Sequence, residues 1–132
     1  MNDEPGRQSV LVVDDDELVR DMLFQVLSDN GYHVELASSG EEALGLLGQR
    51  DVQVCLSDII MPDCDGLELI PQIRRKFPDI HIIAISGGGR IGPESYLATA
   101  RRLGASKVLC KPFDGAILLA EIRDLLGQAV TE

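Results

Sequence analysis

Five short apolar runs alternate with stretches of helical periodicity along this chain, and that alternation limits the fold more than any other feature. Val10-Leu11-Val12-Val13, His33-Val34-Glu35-Leu36-Ala37, Val52 to Leu56, Ile82-Ile83-Ala84-Ile85 and Val108-Leu109-Cys110 are all strand-sized. After the first run, Val19, Met22, Leu23, Val26 and Leu27 recur at three- and four-residue spacing, a helix that Asn30-Gly31 stops. Ser39, three residues before Glu42, makes a capping box that opens a second helix running to about Gly48. A third helix is expected from about Gly66 to Phe77, broken by Pro78-Asp79. A fourth is expected near Glu94 to Leu103, stopped by Gly104, and a fifth from Asp114 to Leu126. Alternating β and α elements predict a parallel sheet with helices on both faces, and right-handed crossovers make it a doubly wound α/β fold.

The 132 residues suffice for one domain with a sizeable core. Its expected extent is 9–127, between a flexible leader at 1–8 and a C-terminal tail at 128–132, with no effector domain. Acids outnumber bases 22 to 12, a net charge of −10 that argues against nucleic-acid binding, which needs a basic surface. The local basic groups Arg74-Arg75-Lys76 and Arg101-Arg102 are expected to be solvated helix ends that complement the helix dipole. No apolar run approaches the roughly 20 residues of a membrane span and no signal segment is present, so no membrane association and a cytoplasmic location are expected. Cys55, Cys64 and Cys110 show no metal-ligand spacing and cannot all pair. Cys55 and Cys110 fall in strands and are expected to be reduced core residues, with Cys64 the exposed thiol.

The chemistry gathers at strand ends. Val10–Val13 leads into Asp14-Asp15-Asp16, Val52–Leu56 leads through Ser57 into Asp58, Ile82–Ile85 leads into Ser86, and Val108–Cys110 leads into Lys111. In an open α/β sheet, ligands bind in the crevice beyond the carboxyl ends of the strands. Carboxylates, a hydroxyl and an ammonium would therefore meet on one rim, a set suited to a hard divalent cation and a phosphoryl group together. Three adjacent aspartates repel one another unless a cation intervenes. Asp16 is the natural N-cap of the first helix, which leaves Asp14 and Asp15, with Asp58, as ligands for Mg²⁺. Lys111 supplies a point charge for a carboxylate or a phosphoryl oxygen, and a cis Lys111-Pro112 bond would aim it inward. Ser86 offers a hydroxyl to the same phosphoryl oxygen, and Gly87 leaves its backbone N–H open to it.

These residues resemble the receiver domains of two-component response regulators, and the resemblance runs from about Ser9 to Leu126. Val-Val-Asp-Asp-Asp, Ser-Asp-Ile-Ile-Met-Pro-Asp-Cys-Asp-Gly and Cys-Lys-Pro-Phe stand in that family's order and close to its spacing. The resemblance implies a flavodoxin-like (βα)5 sheet of strand order 2-1-3-4-5. It implies phosphorylation of Asp58 by a sensor histidine kinase or phosphotransfer protein. Asp14, Asp15 and the backbone carbonyl of Ile60 would then complete the Mg²⁺ site, with Ser86 as switch hydroxyl and Lys111 as phosphoryl contact. Such a chain is not a turnover enzyme, although it takes part in its own phosphorylation and autodephosphorylation. Its output would pass through a downstream protein partner or a phosphoryl relay, as a monomer or a phosphorylation-dependent dimer. Kinase docking in the family uses the first helix and the loop at the fifth strand. Leu18 and Phe24 lie on that helix, either as solvent-facing apolar residues or, the expected fate of each, packed in the core.

Three departures stand out. Val108 occupies the position of the family's aromatic switch, three residues before the lysine, and a valine cannot swing a ring in and out. The stretch from Ser86 to Lys111 is about three residues longer than in chemotaxis-type regulators. The extra length falls in Gly87-Gly88-Gly89-Arg90-Ile91-Gly92-Pro93, a loop expected to carry the conformational change or to be an ordinary insertion. Ile60 and Gly88 flank the path of an attacking water, and an apolar Ile60 cannot orient one, so a long-lived phospho-aspartate is expected. Two other readings compete: a receiver-like binding module that works without phosphorylation, and a haloacid-dehalogenase-type phosphohydrolase with Asp14 as nucleophile and Asp16 as general acid. The order of the motifs opposes the second, because there the separate aspartate follows the lysine, whereas Asp58 precedes both Ser86 and Lys111.

Overall fold

A computed structural model describes residues 8–58, 66–86, 98, 100–110 and 113–127, without the side chains of 66, 67 and 86. Its strands are β1 (Ser9–Val13), β2 (His33–Ala37), β3 (Val54–Asp58), β4 (His81–Ser86) and β5 (Lys107–Cys110). The helices are α1 (Glu17–Asp29), α2 (Gly40–Gln49), α3 (Gly66–Lys76), α4, described at 98 and 100–103, and α5 (Gly115–Leu126). All pairings are parallel and the strand order is β2-β1-β3-β4-β5. This is the doubly wound, flavodoxin-like sheet of order 2-1-3-4-5 that the alternating pattern and the family resemblance implied.

Period-two alternation along the central strands divides the core into two layers. Leu11, Val13, Cys55, Ile82 and Ala84 face Ala43 and Leu47 of α2, Leu69, Ile70 and Ile73 of α3, and Ala100. Val10, Val12, Val54, Leu56, Ile83 and Ile85 face Leu23 and Leu27 of α1 and Leu118 and Ile122 of α5. With β1, β3 and β4 enclosed on both sides, a one-residue slip of any central strand would exchange its two side-chain sets between layers.

Local signals set the helix ends. Asp16 caps α1 by accepting the Leu18 N–H at 3.0 Å, and Asp114 caps α5 by accepting the Ile117 N–H at 2.9 Å. Ser39 Oγ accepts the Glu42 N–H at 3.1 Å. The returning arm of that capping box lands one residue early: Glu42 Oε1 accepts from the Ser38 N–H at 2.7 Å and the Ser38 hydroxyl at 3.0 Å. The helix α3 continues through Pro71. Three fully buried side chains, Leu69, Ile70 and Ile73, offset the roughly 3 kcal/mol that an interior proline costs.

Two expectations about burial fail. Leu18 and Phe24 are 78% and 42% exposed rather than packed in the core, because the buried stripe of α1 centres on Leu23 and Leu27 and both lie off it. Met22, part of the apolar periodicity, is exposed for the same reason. Cys110, expected in the core, is exposed. It is the last residue of β5, a four-residue strand at the edge of the sheet, whereas Cys55 lies mid-sheet in the core layer beneath α3. The fourth helix is described as helical at 98 and 100–103 and ends before Gly104 at φ +127. Cys64, the expected loop at 87–93, residues 94–97 of the expected fourth helix and the Lys111-Pro112 bond lie outside the described residues.

Candidate functional site

The first ladder bonds leave β1 ending level with β3. Val13 lies beside Ser57, so Asp14 and Asp58 are the next residues on adjacent strands. Asp14 is 2% exposed and Asp58 7%, whereas Asp15 is open to solvent. One carboxylate oxygen from each of Asp14, Asp15 and Asp58 lies within 4.8 Å of the others. Asp16 is outside this group, its side chain committed to the α1 cap.

Asp14 is held along its whole length. Its N–H donates to the carbonyl of Ala37 on β2 at 3.1 Å, and its Oδ1 accepts the Asp16 N–H at 2.9 Å. Its carbonyl accepts from Arg20 Nη1 at 2.7 Å. On the neighbouring strand, the fully buried Ser57 hydroxyl donates to the Asp58 carbonyl at 3.2 Å. Nothing in the sequence marks Arg20 or Ser57 as part of a site.

Charge repulsion makes the acid trio costly on its own. Each pair of ionised carboxylates at such separations repels by about 1–4 kcal/mol, between the limits of water and a protein surface. The donor set is all oxygen, as a hard cation requires, and oxygens on opposite sides of a Mg²⁺ stand about 4.2 Å apart. Three carboxylates within 4.8 Å of one another fit that ion. Ser86 is the last residue of β4 and pairs with Cys110, so the strand end that precedes Lys111 lies beside it. The Ser86 side chain, Ile60, Gly87 and Lys111 fall outside the described residues.

A family model for the response regulator receiver domain matches residues 10–123. The chain belongs to the response regulator receiver family. The response regulator MprA of Mycolicibacterium vanbaalenii is 40% identical over 123 residues, which are 93% of this chain and 52% of that protein. This receiver thus spans about half the length of the curated relatives it matches. Among solved structures, a CheY-like receiver domain protein from Methanospirillum hungatei superposes with a TM-score of 0.84 at 29% identity, covering 92% of this chain and 94% of that one. The beryllofluoride-activated NtrC4 receiver domain dimer superposes with a TM-score of 0.80 at 32% identity, covering 90% and 96%.

The receiver's departure at Val108 has a structural counterpart. Val108 pairs with Ala84 and is half-buried against the layer that holds α2 and α3. Among the described residues, no helix is long and apolar enough to cross a membrane.

Proposed function

We propose that Asp58 is the phosphoacceptor of this receiver, served by a divalent cation held at Asp14 and Asp15 and charged by a sensor histidine kinase or phosphotransfer protein. The observation that carries this reading is the convergence of Asp14, Asp15 and Asp58 within 4.8 Å at the carboxyl ends of β1 and β3. A carboxylate oxygen of Asp58 forms the new O–P bond as the P–N bond to the donor imidazole breaks, and the imidazole nitrogen leaves with the electron pair. Mg²⁺, when bound, supplies positive charge against the phosphoryl oxygens. Asp14 and Asp15 hold that charge beside the acceptor, and burial of Asp14 and Asp58 keeps competing water away.

The roles of Lys111 as phosphoryl contact, Ser86 as switch hydroxyl, Gly87 as N–H donor and Ile60 as carbonyl ligand rest on the family match at those positions. The domain is proposed to span 9–127 and to act in the cytoplasm. Leu18 and Met22, one turn apart on α1, and Ile117 in the first turn of α5 are large apolar side chains left exposed. They are the proposed docking contacts for the kinase. Activation of the similar NtrC4 receiver by beryllofluoride, as a dimer, supports a phosphoryl-dependent state for this chain too.

Against the hydrolase reading stands the engagement of the Asp16 carboxylate, which accepts the Leu18 N–H at the start of α1 and is not one of the three converging acids. The test is incubation with Mg²⁺ and acetyl phosphate, read by intact mass. Wild type gains one phosphate and Asp58→Ala gains none. Absence of any adduct, together with absence of beryllofluoride binding, would leave a phosphorylation-independent module. An adduct retained in Asp58→Ala but lost in Asp14→Ala would restore Asp14 as nucleophile.

A further inference from the structure

Arg20 is a basic side chain bonded directly to the acid-bearing turn, and the phosphoacceptor reading gives it no task. It lies on α1, half-buried, and Nη1 reaches back 2.7 Å to the carbonyl oxygen of Asp14. Its own N–H bonds the Asp16 carbonyl at 3.0 Å, the first turn of the helix. Side chain and backbone of one residue therefore grip the turn at two points, on either side of Asp15.

The grip acts on a particular bond. A peptide unit is planar, so fixing the Asp14 carbonyl also fixes the Asp15 nitrogen and the direction to the Asp15 Cα. Asp14 itself is also tied to Ala37 and to the Asp16 N–H. Asp15 is exposed, and its carboxylate joins the trio from the solvent side. Rotation of the Asp14–Asp15 peptide would swing that carboxylate away while leaving Asp14 in place. A charge-assisted bond to the carbonyl opposes that rotation.

We infer that Arg20 is a positioning residue for the divalent-cation site: by holding the Asp14 carbonyl it sets the Asp14–Asp15 peptide, and so turns Asp15 toward Asp14 and Asp58. The inference rests on the reading of those three acids as the cation site. Residues that orient metal ligands typically change affinity 10–100-fold when removed. A guanidinium that merely offset local negative charge would do the reverse, because its loss would deepen the attraction for a divalent cation.

The test is Mg²⁺ titration of the whole chain by calorimetry. It is paired with the Mg²⁺ dependence of phosphorylation by acetyl phosphate. Wild type, Arg20→Ala, Arg20→Lys and Asp14→Asn are compared, with Arg101→Ala, exposed on α4, as a charge control. Arg20→Ala should weaken Mg²⁺ binding by about tenfold and raise the half-saturating Mg²⁺ for phosphorylation equally, while the rate at saturating Mg²⁺ stays within about twofold. Arg20→Lys, which keeps a charged donor, should recover part of the loss. If Arg20→Ala does not fold, Arg20→Met keeps the packing of the stem and removes the donor. Unchanged or tighter Mg²⁺ binding in Arg20→Ala or Arg20→Met overturns the inference and leaves the cation site standing. Wild type that binds no Mg²⁺, or binds it equally well as Asp14→Asn, overturns the site and the inference with it.

Discussion

Cys55 and Cys110 both end up in strands, yet their surroundings separate their chemistry. Cys55 lies at the centre of β3, fully buried, and burial pushes its thiol up to about 12. Thiolate is the reactive species, so Cys55 is inert in the folded chain, whereas Cys110 is exposed at the end of β5. Brief treatment with iodoacetamide at pH 8, read by peptide mass, should alkylate Cys110 and spare Cys55 until denaturant is added. Equal labelling of the two in the folded state would contradict the burial of β3. Hydropathy could not tell these cysteines apart, because both follow β-branched or aliphatic residues in a strand-like run. What differs is position in the sheet, with Cys55 at the middle of the central β3 and Cys110 at the end of the edge strand β5, which is a property of sheet order. The acids were more legible. Asp14 and Asp58 follow apolar runs too long to need a soluble end, and Asp16 sits where a helix needs a cap. Arg20 was not, since its contact is with a backbone carbonyl that carries no sequence signature.

Elements were legible wherever a local signal marks them, and less so where a distant contact does. Asn30-Gly31, Ser39-x-x-Glu42 and Asp114 fixed ends to within a residue or two, because capping is settled inside one turn. Arg74 shows the other case. Basic residues at the end of α3 were expected to be solvated, but Arg74 Nη1 donates to the carbonyls of Pro78 and Ile80, both at 2.8 Å. Its Nη2 donates to the carbonyl of Gly104 at 2.9 Å. One guanidinium thus ties the end of α3 to the turn into β4 and to the turn between α4 and β5. Replacement by alanine should cost about 2 kcal/mol in chemical denaturation, and lysine should recover little, since the single nitrogen of an ammonium cannot span the carbonyls that Arg74 reaches from two separate nitrogens. Gly104→Ala should cost a similar amount. Its φ of +127 is closed to side chains, and an added Cβ would stand 3.3 Å from Arg74 Cγ. Additive losses in the double variant would mean that the two residues act separately. A sub-additive loss is expected, because both changes disturb the same contact.

Across the molecule, the ionisations that stand away from their ordinary values among the described residues, those of Cys55, Tyr32 and Lys107, all work against stability in alkali. The unfolded Cys55 thiol ionises near 9.0 and the folded one near 12, so between those values the unfolded chain binds fewer protons and stability falls as pH rises. Tyr32 is shifted upward by burial, with the same sign, although Arg123 beside it acts the other way. Lys107 is raised by its hydrogen bonds to Asp124 at 2.6 Å and Glu121 at 2.9 Å on α5. That contribution is whole below its unfolded value and is lost as pH climbs through the folded one. Two acids held protonated and one base held charged therefore all favour the more protonated state. From Cys55 alone, the slope approaches about 1.4 kcal/mol per pH unit above pH 9. Urea unfolding at pH 7, 9 and 10.5 should show stability level to about pH 8.5 and then falling. The fall should be shallower in Cys55→Ala despite its lower stability at pH 7, since the variant retains only the Tyr32 and Lys107 contributions. Parallel pH profiles for the two proteins would mean that the folded Cys55 thiol ionises as readily as the unfolded one, against its complete burial in the core.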